Sequence, residues 1–314
     1  MLQCYGLSRR PREPRELSPF NFQKYMRERK SMIDRALDRH LRGNSRSPRS
    51  LVKAMRYGVF PGGKRFRPIL TLAAAELFGC KPKLVLPFAC ALELIHAYSL
   101  IHDDLPALDN DDIRRGEPAN HRVFGEGMAL LAGDALLTEA FRVISRPEVA
   151  RALNPALVLR LSREIAQAAG AGGMVGGQAV DLEVEAQGGD IATVEDMHAR
   201  KTGALILAAA RVGASIGGAS PAELRRVSRY AALLGLAFQI ADDISDDDRE
   251  GQVKPSGETN GLRKKITYPS IVGLAAARAR LQELVQRCLK ELDCFGDRAD
   301  PLRAIARSVG EHAA

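Results

Sequence analysis

The chain has 314 residues, a formal net charge of +8 and 46% hydrophobic residues. This length fits one large all-helical domain or two ordinary domains, with enough apolar residues to bury a sizeable core. No uncharged apolar run approaches the roughly 20 residues that span a bilayer, and the N-terminus lacks the apolar core of a signal peptide. We therefore expect no stable membrane insertion.

The basic excess lies near the N-terminus, where residues 1–50 carry 13 Lys or Arg and 5 Asp or Glu. "RRPREPRE" has two prolines and no apolar period, which predicts a disordered arm over residues 1–19 ahead of a helical domain over residues 20–314. Such an arm can touch nucleic acid or anionic lipid. No aromatic residues interleave with its charges, so we expect a solvated tail and no nucleic-acid partner. The five cysteines show neither metal-type nor disulfide-type spacing, which indicates thiols in a reducing cytosol and a cytoplasmic protein.

Helical patterns follow one another along the chain from about residue 20. Apolar residues such as Phe22 and Met26 recur near a 3.6-residue period, and Pro68 and Gly79 mark the two ends of a later helix. No Asn-Gly or Asp-Gly hairpin separates two alternating runs, so we predict an all-α fold without strands. The predicted helices cover residues 20–41, 47–57, 66–78, 81–104, 125–145, 148–169, 173–187, 193–217, 221–247, 267–293 and 299–311, with polar loops at 105–121 and 247–266.

The fourth helix runs into an acid-rich stretch, "IHDDLPALDNDDIRRG", at residues 101–116. Its five aspartates repel one another, so a folded protein retains them only where another group neutralises the charge. A second cluster, "FQIADDISDDD", ends another helix at residues 238–248. There Asp242 and Asp246 lie on one helix face, and Asp243 points about 100° away. Oxygen ligands without Cys or His suit Mg²⁺ that is also bound by substrate phosphate, so the two clusters predict Mg²⁺ ions around a diphosphate.

Basic residues form a second anion site that needs no metal. "PGGKRFRP", residues 61–68, places two glycines, Lys64, Arg65 and Arg67 just before a helix, where backbone and cationic groups can approach phosphate oxygens. His96 lies two helical turns before Asp103 on the same face. Other polar positions in mainly apolar surroundings or beside the clusters are Arg114, Arg115, Gln178, Asp181, Lys201, Thr202, Lys264 and Lys265.

Together these motifs resemble the short-chain trans-isoprenyl diphosphate synthases of the farnesyl/geranylgeranyl type. The matching stretches occur in the family order and cover roughly residues 20–310, a combination far more specific than one aspartate motif. They are "GGKRFRP" (62–68), "ELIHAYSLIHDDLPALDNDDIRRG" (93–116), "GGQAVDLE" (176–183), "KTGALI" (201–206), "FQIADDISD" (238–246) and "TYP" (267–269).

The resemblance implies a deep cavity in a helical fold, a homodimer, two or three Mg²⁺ ions, and two substrates, isopentenyl diphosphate and an allylic diphosphate (dimethylallyl or geranyl). By the family pattern, Mg²⁺ is bound by Asp103 and Asp109 with Asp104 in support, and by Asp242 with Asp243 and Asp246 in support. The allylic diphosphate contacts Arg114, Lys201 and Lys265, isopentenyl diphosphate contacts Lys64, Arg65, His96 and Arg115, and Thr202 and Gln239 line the reacting centre.

The chain departs from the family pattern after the second cluster. Val253 stands where a glycine is usual before Lys254, and Asn260 stands where an aspartate is usual. Lys254, Lys264 and Lys265 therefore remain alternatives for the diphosphate contact in this region. No metal ligand of the pattern is lost.

Product length depends on the helix that precedes the first cluster. Tyr98 and Ser99 lie five and four residues before Asp103, and in the family this neighbourhood forms a floor that stops elongation. The tyrosine and the "PA" insertion inside the aspartate motif resemble bacterial farnesyl diphosphate synthases, so we expect a fifteen-carbon product, with the twenty-carbon geranylgeranyl product as the alternative. The sequence does not show which of the two residues faces the tunnel, because they differ by about 100° around the helix.

Three other functions compete with this interpretation. A class I terpene cyclase also uses aspartate-rich Mg²⁺ sites, but it binds one diphosphate and has no need for "GGKR" and His96. A non-catalytic partner subunit of a synthase would be expected to lose aspartates, whereas both clusters are intact. A nucleic-acid-binding protein is supported only by the basic arm.

Overall fold

The computed structural model describes residues 20–187, 190–250 and 267–311, and the predicted arm over residues 1–19 lies outside them. The prediction of an all-α fold is confirmed. The helices are α1 Phe22–His40, α2 Arg49–Val59, α3 Phe66–Glu76, α4 Pro82–Asp103, α5 Asn120–Phe124, α6 Glu126–Ile144, α7 Pro147–Leu153, α8 Pro155–Ala169, α9 Met174–Gln187, α10 Ile191–His198, α11 Ala204–Gly217, α12 Pro221–Glu250, α13 Tyr268–Val272, α14 Leu274–Glu291 and α15 Asp300–Glu311. A π-helical turn, Ala199–Gly203, joins α10 to α11, and a 3-10 segment, Asp293–Ala299, precedes α15.

Three predicted helices are interrupted where local backbone chemistry overrides the apolar period. Asn154 has a φ of 73° and caps α8 with its side chain, so the predicted helix over 148–169 becomes α7 and α8. Gly273, with a φ of 86°, separates α13 from α14. The third interruption is the π turn within the predicted helix over 193–217.

The predicted loop over 105–121 contains a short hairpin, so the expectation of no strand was wrong at this point. β1, Ile113–Arg114, pairs antiparallel with β2, Glu117–Pro118. The two residues between them, Arg115 and Gly116, both have positive φ values of 56° and 80°. Two positive φ angles are typical of the tight turn that matches the natural twist of a hairpin.

Helix α4 lies at the centre of the fold, packed against α3 on one side and α6 on another. Within the described ranges it is the one helix that could cross a membrane by length and composition, and 67% of that stretch is buried inside the fold. A helix that is apolar nearly all round is the expected core element of a large helical domain. Its C-terminal end delivers the first aspartate cluster.

Helices α3 and α11 approach so closely that a side chain has no room between them. A Cβ atom at Gly213 would lie 2.1 Å from the carbonyl oxygen of Thr71 and 3.0 Å from the Cβ atom of Ala74. Because the obstacle is backbone, it cannot move aside as a flexible side chain can. This contact fixes α11, and with it the π turn, relative to the core.

We expect Gly213→Ala to lower the free energy of unfolding by about 1–3 kcal/mol, because the added methyl overpacks the contact between α3 and α11. The matched control is Gly127→Ala, since Gly127 is exposed in α6 and an added Cβ would meet nothing within 4 Å. The control should be neutral or more stable by about 0.5–1 kcal/mol. Urea unfolding of both variants measures the effect, and equal midpoints for Gly213→Ala and wild type would contradict it.

Candidate active site

The first aspartate cluster is closed by a loop that turns back onto the end of α4. The backbone N–H of Asp109 donates to the carbonyl oxygen of Asp103 at 2.8 Å, and that of Asn110 donates to Leu105 O at 3.2 Å. The "PA" insertion therefore lies in a folded loop that returns Asp109 to Asp103. Burial raises the pKa of the Asp103 carboxyl to about 7, and the neighbouring Asp109 raises it further, against the field of Lys201. The ionised form of Asp103 is thus disfavoured mainly because the carboxylate is withdrawn from water.

Asp104 has a different environment from Asp103. It is 2% exposed and accepts hydrogen bonds from the Arg114 guanidinium, at 2.8 Å from Nε and at shorter range from Nη2. Arg114 Nη2 also donates to Asp111 at 2.8 Å. The predicted metal ligand Asp104 and the predicted diphosphate ligand Arg114 thus bind each other, which anchors the hairpin to the end of α4.

Asp242 and Asp243 of the second cluster also differ in exposure and bonding. Asp242 is exposed, whereas Asp243 is 7% exposed. The Asp243 carboxylate accepts from the Tyr268 backbone N–H at 2.8 Å and from the Gln239 amide at 3.2 Å, and His198 Nε2 lies 3.6 Å from it. In each pair the second carboxylate holds the structure together, while the first is the more accessible.

Lys201 connects α9 to the first aspartate cluster. Its ammonium donates to Asp181 Oδ2 at 2.5 Å. Burial lowers the pKa of Lys201, but the Asp181, Asp103 and Asp109 carboxylates outweigh that effect and raise it. Lys201 is therefore a half-buried cation, held by Asp181 in the negative field of Asp103 and Asp109. The predicted neighbour Thr202 is half-buried in the same π turn.

The π turn is held between two glycines from other helices. A Cβ atom at Gly177 of α9 would lie 2.3 Å from the backbone nitrogen of Lys201, and one at Gly235 of α12 would lie 2.9 Å from the Gly203 Cα. Isolated π turns occur frequently at functional sites, because the extra residue redirects side chains. Here the turn carries Lys201 and Thr202 and begins directly after His198, which contacts Asp243. It therefore links the two aspartate clusters into one site.

The Arg65 guanidinium is paired with two carboxylates of the protein. Its Nε donates to Asp34 at 2.8 Å and its Nη1 donates to Glu93 at 2.7 Å, and the residue is 2% exposed. It caps α3 in a left-handed conformation with a φ of 53°. Its Nη2 is buried without a hydrogen-bond partner among the described residues.

Arg67 is the residue that our sequence-based assignment of diphosphate ligands left out. It is 8% exposed, and its Nε has no hydrogen-bond partner within the described part of the chain. Burial lowers the pKa of Arg67 to about 10, in opposition to Glu93, and Arg115 lowers it further. A buried guanidinium with spare donors is a ready ligand for an anion. The signal was present in "GGKRFRP", but spacing alone could not distinguish Arg65 from Arg67.

The remaining predicted anion ligands surround Arg67. Burial and the positive field of Arg67, Arg115 and other guanidinium groups hold the pKa of His96 well below its usual range, so its ring is neutral. Arg115 lies in the hairpin turn and donates to Pro61 O at 3.3 Å. Lys64 is exposed beside them. The arrangement can bind one highly charged anion through several donors.

Tyr98 and Ser99 have different surroundings on α4. Tyr98 is 6% exposed and meets the His102 ring edge-on, with 5.6 Å between centroids. Ser99 is half-buried, and its hydroxyl donates to His96 O at 3.0 Å. Lys254, Lys264 and Lys265 lie outside the described residues, so their diphosphate contacts stay predictions.

The donor set fits Mg²⁺ that arrives with a diphosphate better than a permanent metal site. In the ranges that the structure describes, no group of three or more His, Cys, Asp or Glu side chains is arranged to hold a metal. Asp103, Asp109 and Asp242 supply oxygen donors alone, and burial disfavours the ionised form of Asp103, which a bound cation would stabilise. Mg²⁺ is commonly bound by one or two carboxylates together with substrate phosphates, which matches this arrangement.

The chain is similar to known proteins over most of its length. The Polyprenyl synthetase family model matches residues 48–297. The farnesyl diphosphate synthase of Geobacillus stearothermophilus is 43% identical over 287 residues, which is 89% of this chain and 95% of that protein. The large subunit 1 of a chloroplastic heterodimeric geranylgeranyl pyrophosphate synthase from Arabidopsis thaliana is 42% identical over 303 residues, 94% of this chain and 80% of that protein. An apo crystal structure of an FPP/GFPP synthase from Zymomonas mobilis superposes with a TM-score of 0.83 at 39% identity, covering 92% of this chain and 98% of that one.

Asp103 makes the stability of the protein depend on pH. Its folded-state pKa of about 7 lies above the ordinary 3.8, so the folded protein binds this proton more tightly than the unfolded chain does. Its ionisation therefore lowers the free energy of unfolding as pH rises from 3.8 to about 7. Asp103→Asn removes this effect. With a chelator present, we expect the variant to exceed wild type by on the order of 2 kcal/mol at about pH 8, after allowance for solvent screening.

At about pH 4 the two proteins should have nearly equal stability, because Asp103 is then neutral in the folded state. Thermal melts across this pH range measure the difference. A stability gain of the same size at every pH would show that the effect does not come from ionisation of Asp103.

Proposed function

The chain belongs to the polyprenyl synthetase family and is a prenyltransferase that condenses isopentenyl diphosphate with an allylic diphosphate, and from this premise we propose that its main product is farnesyl diphosphate. One observation supports this function above the others. A half-buried acidic centre formed by Asp103 and Asp109 lies next to a separate set of cations around Arg67 and His96. The reaction needs two diphosphate sites of different character, whereas a cyclase needs one.

We assign the acidic centre to the allylic diphosphate. Asp103, Asp109 and Asp242 would hold two or three Mg²⁺ ions, which when bound offset the charge of the leaving diphosphate. Lys201 donates to the same diphosphate from the π turn, and its bond to Asp181 keeps the ammonium oriented. Because Lys201 is half-buried, its interaction with a developing anion is screened less than it would be in water. Thr202 and Gln239 stay the predicted lining of the reacting centre.

Isopentenyl diphosphate belongs in the basic set, where we place Arg67 in the role first given to Arg65. Arg67, His96, Arg115 and Lys64 bind this diphosphate, and Arg65 supports them through its buried ion pairs with Glu93 and Asp34. Neutral His96 donates one hydrogen bond and adds no charge. When the allylic diphosphate departs, the double bond of isopentenyl diphosphate attacks the allylic cation, and loss of a proton completes the product.

The fifteen-carbon product is supported by Tyr98 and the folded "PA" loop, and the geranylgeranyl product remains the alternative. Known relatives carry names of both kinds. We further propose a cytoplasmic homodimer. On α6, Leu130 and Leu131 are 47% and 54% exposed. They form an apolar face that a second copy of the chain can cover.

Removal of a principal carboxylate should nearly abolish turnover. We expect Asp103→Ala and Asp242→Ala each to lose about a thousandfold or more in rate, since loss of a metal ligand removes several kcal/mol from stabilisation of the leaving group. The assay is diphosphate release from isopentenyl and geranyl diphosphates, with product chromatography, in saturating Mg²⁺ and in a chelator. Asp297→Ala is the control, because Asp297 is an exposed carboxylate remote from both clusters in sequence.

The chelator should stop turnover of wild type and of the control alike. If either cluster variant kept more than about a tenth of wild-type activity, a loss of only about 1.4 kcal/mol, the assignment would be wrong. Circular dichroism shows whether the helical fold is retained.

The two arginines of "GGKRFRP" should respond in opposite ways. Arg67→Met should raise KM for isopentenyl diphosphate about 10- to 100-fold, which corresponds to loss of one charge-assisted hydrogen bond, with little loss of stability. Arg65→Met leaves Glu93 buried without its partner and should cost about 3–5 kcal/mol of stability. Initial rates and thermal melts of both variants measure this. A KM effect confined to Arg65→Met would reverse the assignment.

A further inference from the structure

The side chain that packs against the Tyr98 ring is His102, which lies on the same helix, α4. The rings of Tyr98 and His102 meet at an interplanar angle of 75°, one helical turn apart. His102 Nε2 lies 3.0 Å from the carbonyl oxygen of Leu130 on α6. Because a carbonyl oxygen only accepts, Nε2 carries the proton and donates this bond. His102 therefore ties the Tyr98 ring to the backbone of the neighbouring helix.

Gly133 provides the space in which the His102 ring lies. A Cβ atom at position 133 would come within 2.1 Å of His102 Nε2 and 2.4 Å of Cδ2. Any other residue at this position would push the ring away from Leu130. The ring is thus fixed by the Tyr98 ring, the Leu130 carbonyl and the bare backbone at Gly133, and the Asp134 carboxylate lies 4.0 Å from its Nε2.

The contacts of α4 explain why this fixation matters for a growing chain. His96, Ser99 and Asp103 follow one face of α4 at spacings of three and four residues. Tyr98 is turned about 100° from Ser99 and lies about 7.5 Å along the axis from Asp103. A prenyl chain that starts at Asp103 and follows this face would pass the small Ser99 side chain. It would then contact the edge of the Tyr98 ring. A tyrosine ring without support could change its χ1 rotamer, but the His102 ring packs edge-on against it.

We propose that His102 is a positioning residue for product length, because it holds the Tyr98 ring against α6 and so limits elongation. The inference rests on the proposed function. It assigns a specificity role to a residue beside the first aspartate cluster and to the glycine of α6 on which it packs. The role acts through Tyr98 and requires no contact between His102 and the substrate.

The test compares product length in variants of the two supporting residues. His102→Ala should raise the ratio of products longer than farnesyl diphosphate to farnesyl diphosphate at least about tenfold, equivalent to about 1.4 kcal/mol. Gly133→Ala should shift the ratio in the same direction, because it displaces an intact His102. The double variant His102→Ala/Gly133→Ala should match His102→Ala, since without the ring the added methyl displaces nothing.

Radiolabelled isopentenyl diphosphate with geranyl diphosphate gives the ratios for the full-length protein. His121→Ala is the control for loss of a buried histidine, as His121 is 6% exposed and lies in α5, and it should leave the ratio unchanged. His102→Gln, which lacks the ring but can still donate to Leu130, covers the case in which the alanine variant is unstable. It should also lengthen the products.

The outcomes separate the inference from the function on which it rests. Wild type that makes farnesyl diphosphate, with ratios unchanged in every His102 and Gly133 variant, overturns the role of His102. Lower rates at a constant ratio would likewise mean a purely structural role and overturn it. Wild type that releases mainly the twenty-carbon product overturns the farnesyl assignment alone. His102 is then judged by whether His102→Ala extends products beyond twenty carbons.

Discussion

The site depends on the cost of holding like charges together where water is partly excluded. Asp103 and Asp109 are brought together by a backbone hydrogen bond, and burial raises the pKa of Asp103 to about 7. Arg67 is a buried cation with spare donors a short distance away in the fold. Each centre is unfavourable alone, and each is relieved by a ligand of opposite charge. Under the proposed function, substrate and metal would therefore stabilise the folded state by binding these buried charges.

The energetic cost of buried charge falls on a few positions, because neighbouring charged residues are paired within the protein. Asp104 is neutralised by Arg114, Asp243 is bonded to the start of α13, and Arg65 is paired with Glu93 and Asp34. Each of these residues lies one or two positions from a proposed ligand-binding residue: Asp104 follows Asp103, Asp243 follows Asp242, and Arg65 precedes Arg67. The motifs thus combine a binding residue with a residue that holds it in place. Under the proposed function, we expect substitution of the binding residue to lower affinity and substitution of its neighbour to lower stability.

The sequence predicted the helical class, the central helix and both aspartate clusters, because these follow from apolar period and charge. It could not assign roles within the motifs. Arg65 and Arg67 differ by the left-handed backbone at Arg65, which no spacing rule reveals. The π turn was missed because the residues that pack closely against it, Gly177 and Gly235, lie elsewhere in the chain. The hairpin at residues 113–118 was missed because each strand has only two residues and its turn begins with arginine, where glycine or asparagine is usual.

Helix α4 places residues of both candidate diphosphate sites, and the proposed chain-length residues, on one rigid element. His96 lies in the basic set, Asp103 ends the helix in the acidic set, and Tyr98 and His102 occupy the adjoining face. Helical geometry fixes the spacing of these groups along the axis. Under the proposed function, both substrates and the growing chain would therefore be positioned relative to the same helix. A side chain on a flexible loop could bind the same charges, but it could not keep the side chain that stops elongation at a constant distance from Asp103. Under the proposed function, the burial of α4 among α3, α6 and α11 keeps that distance constant, so that product length depends on the fold.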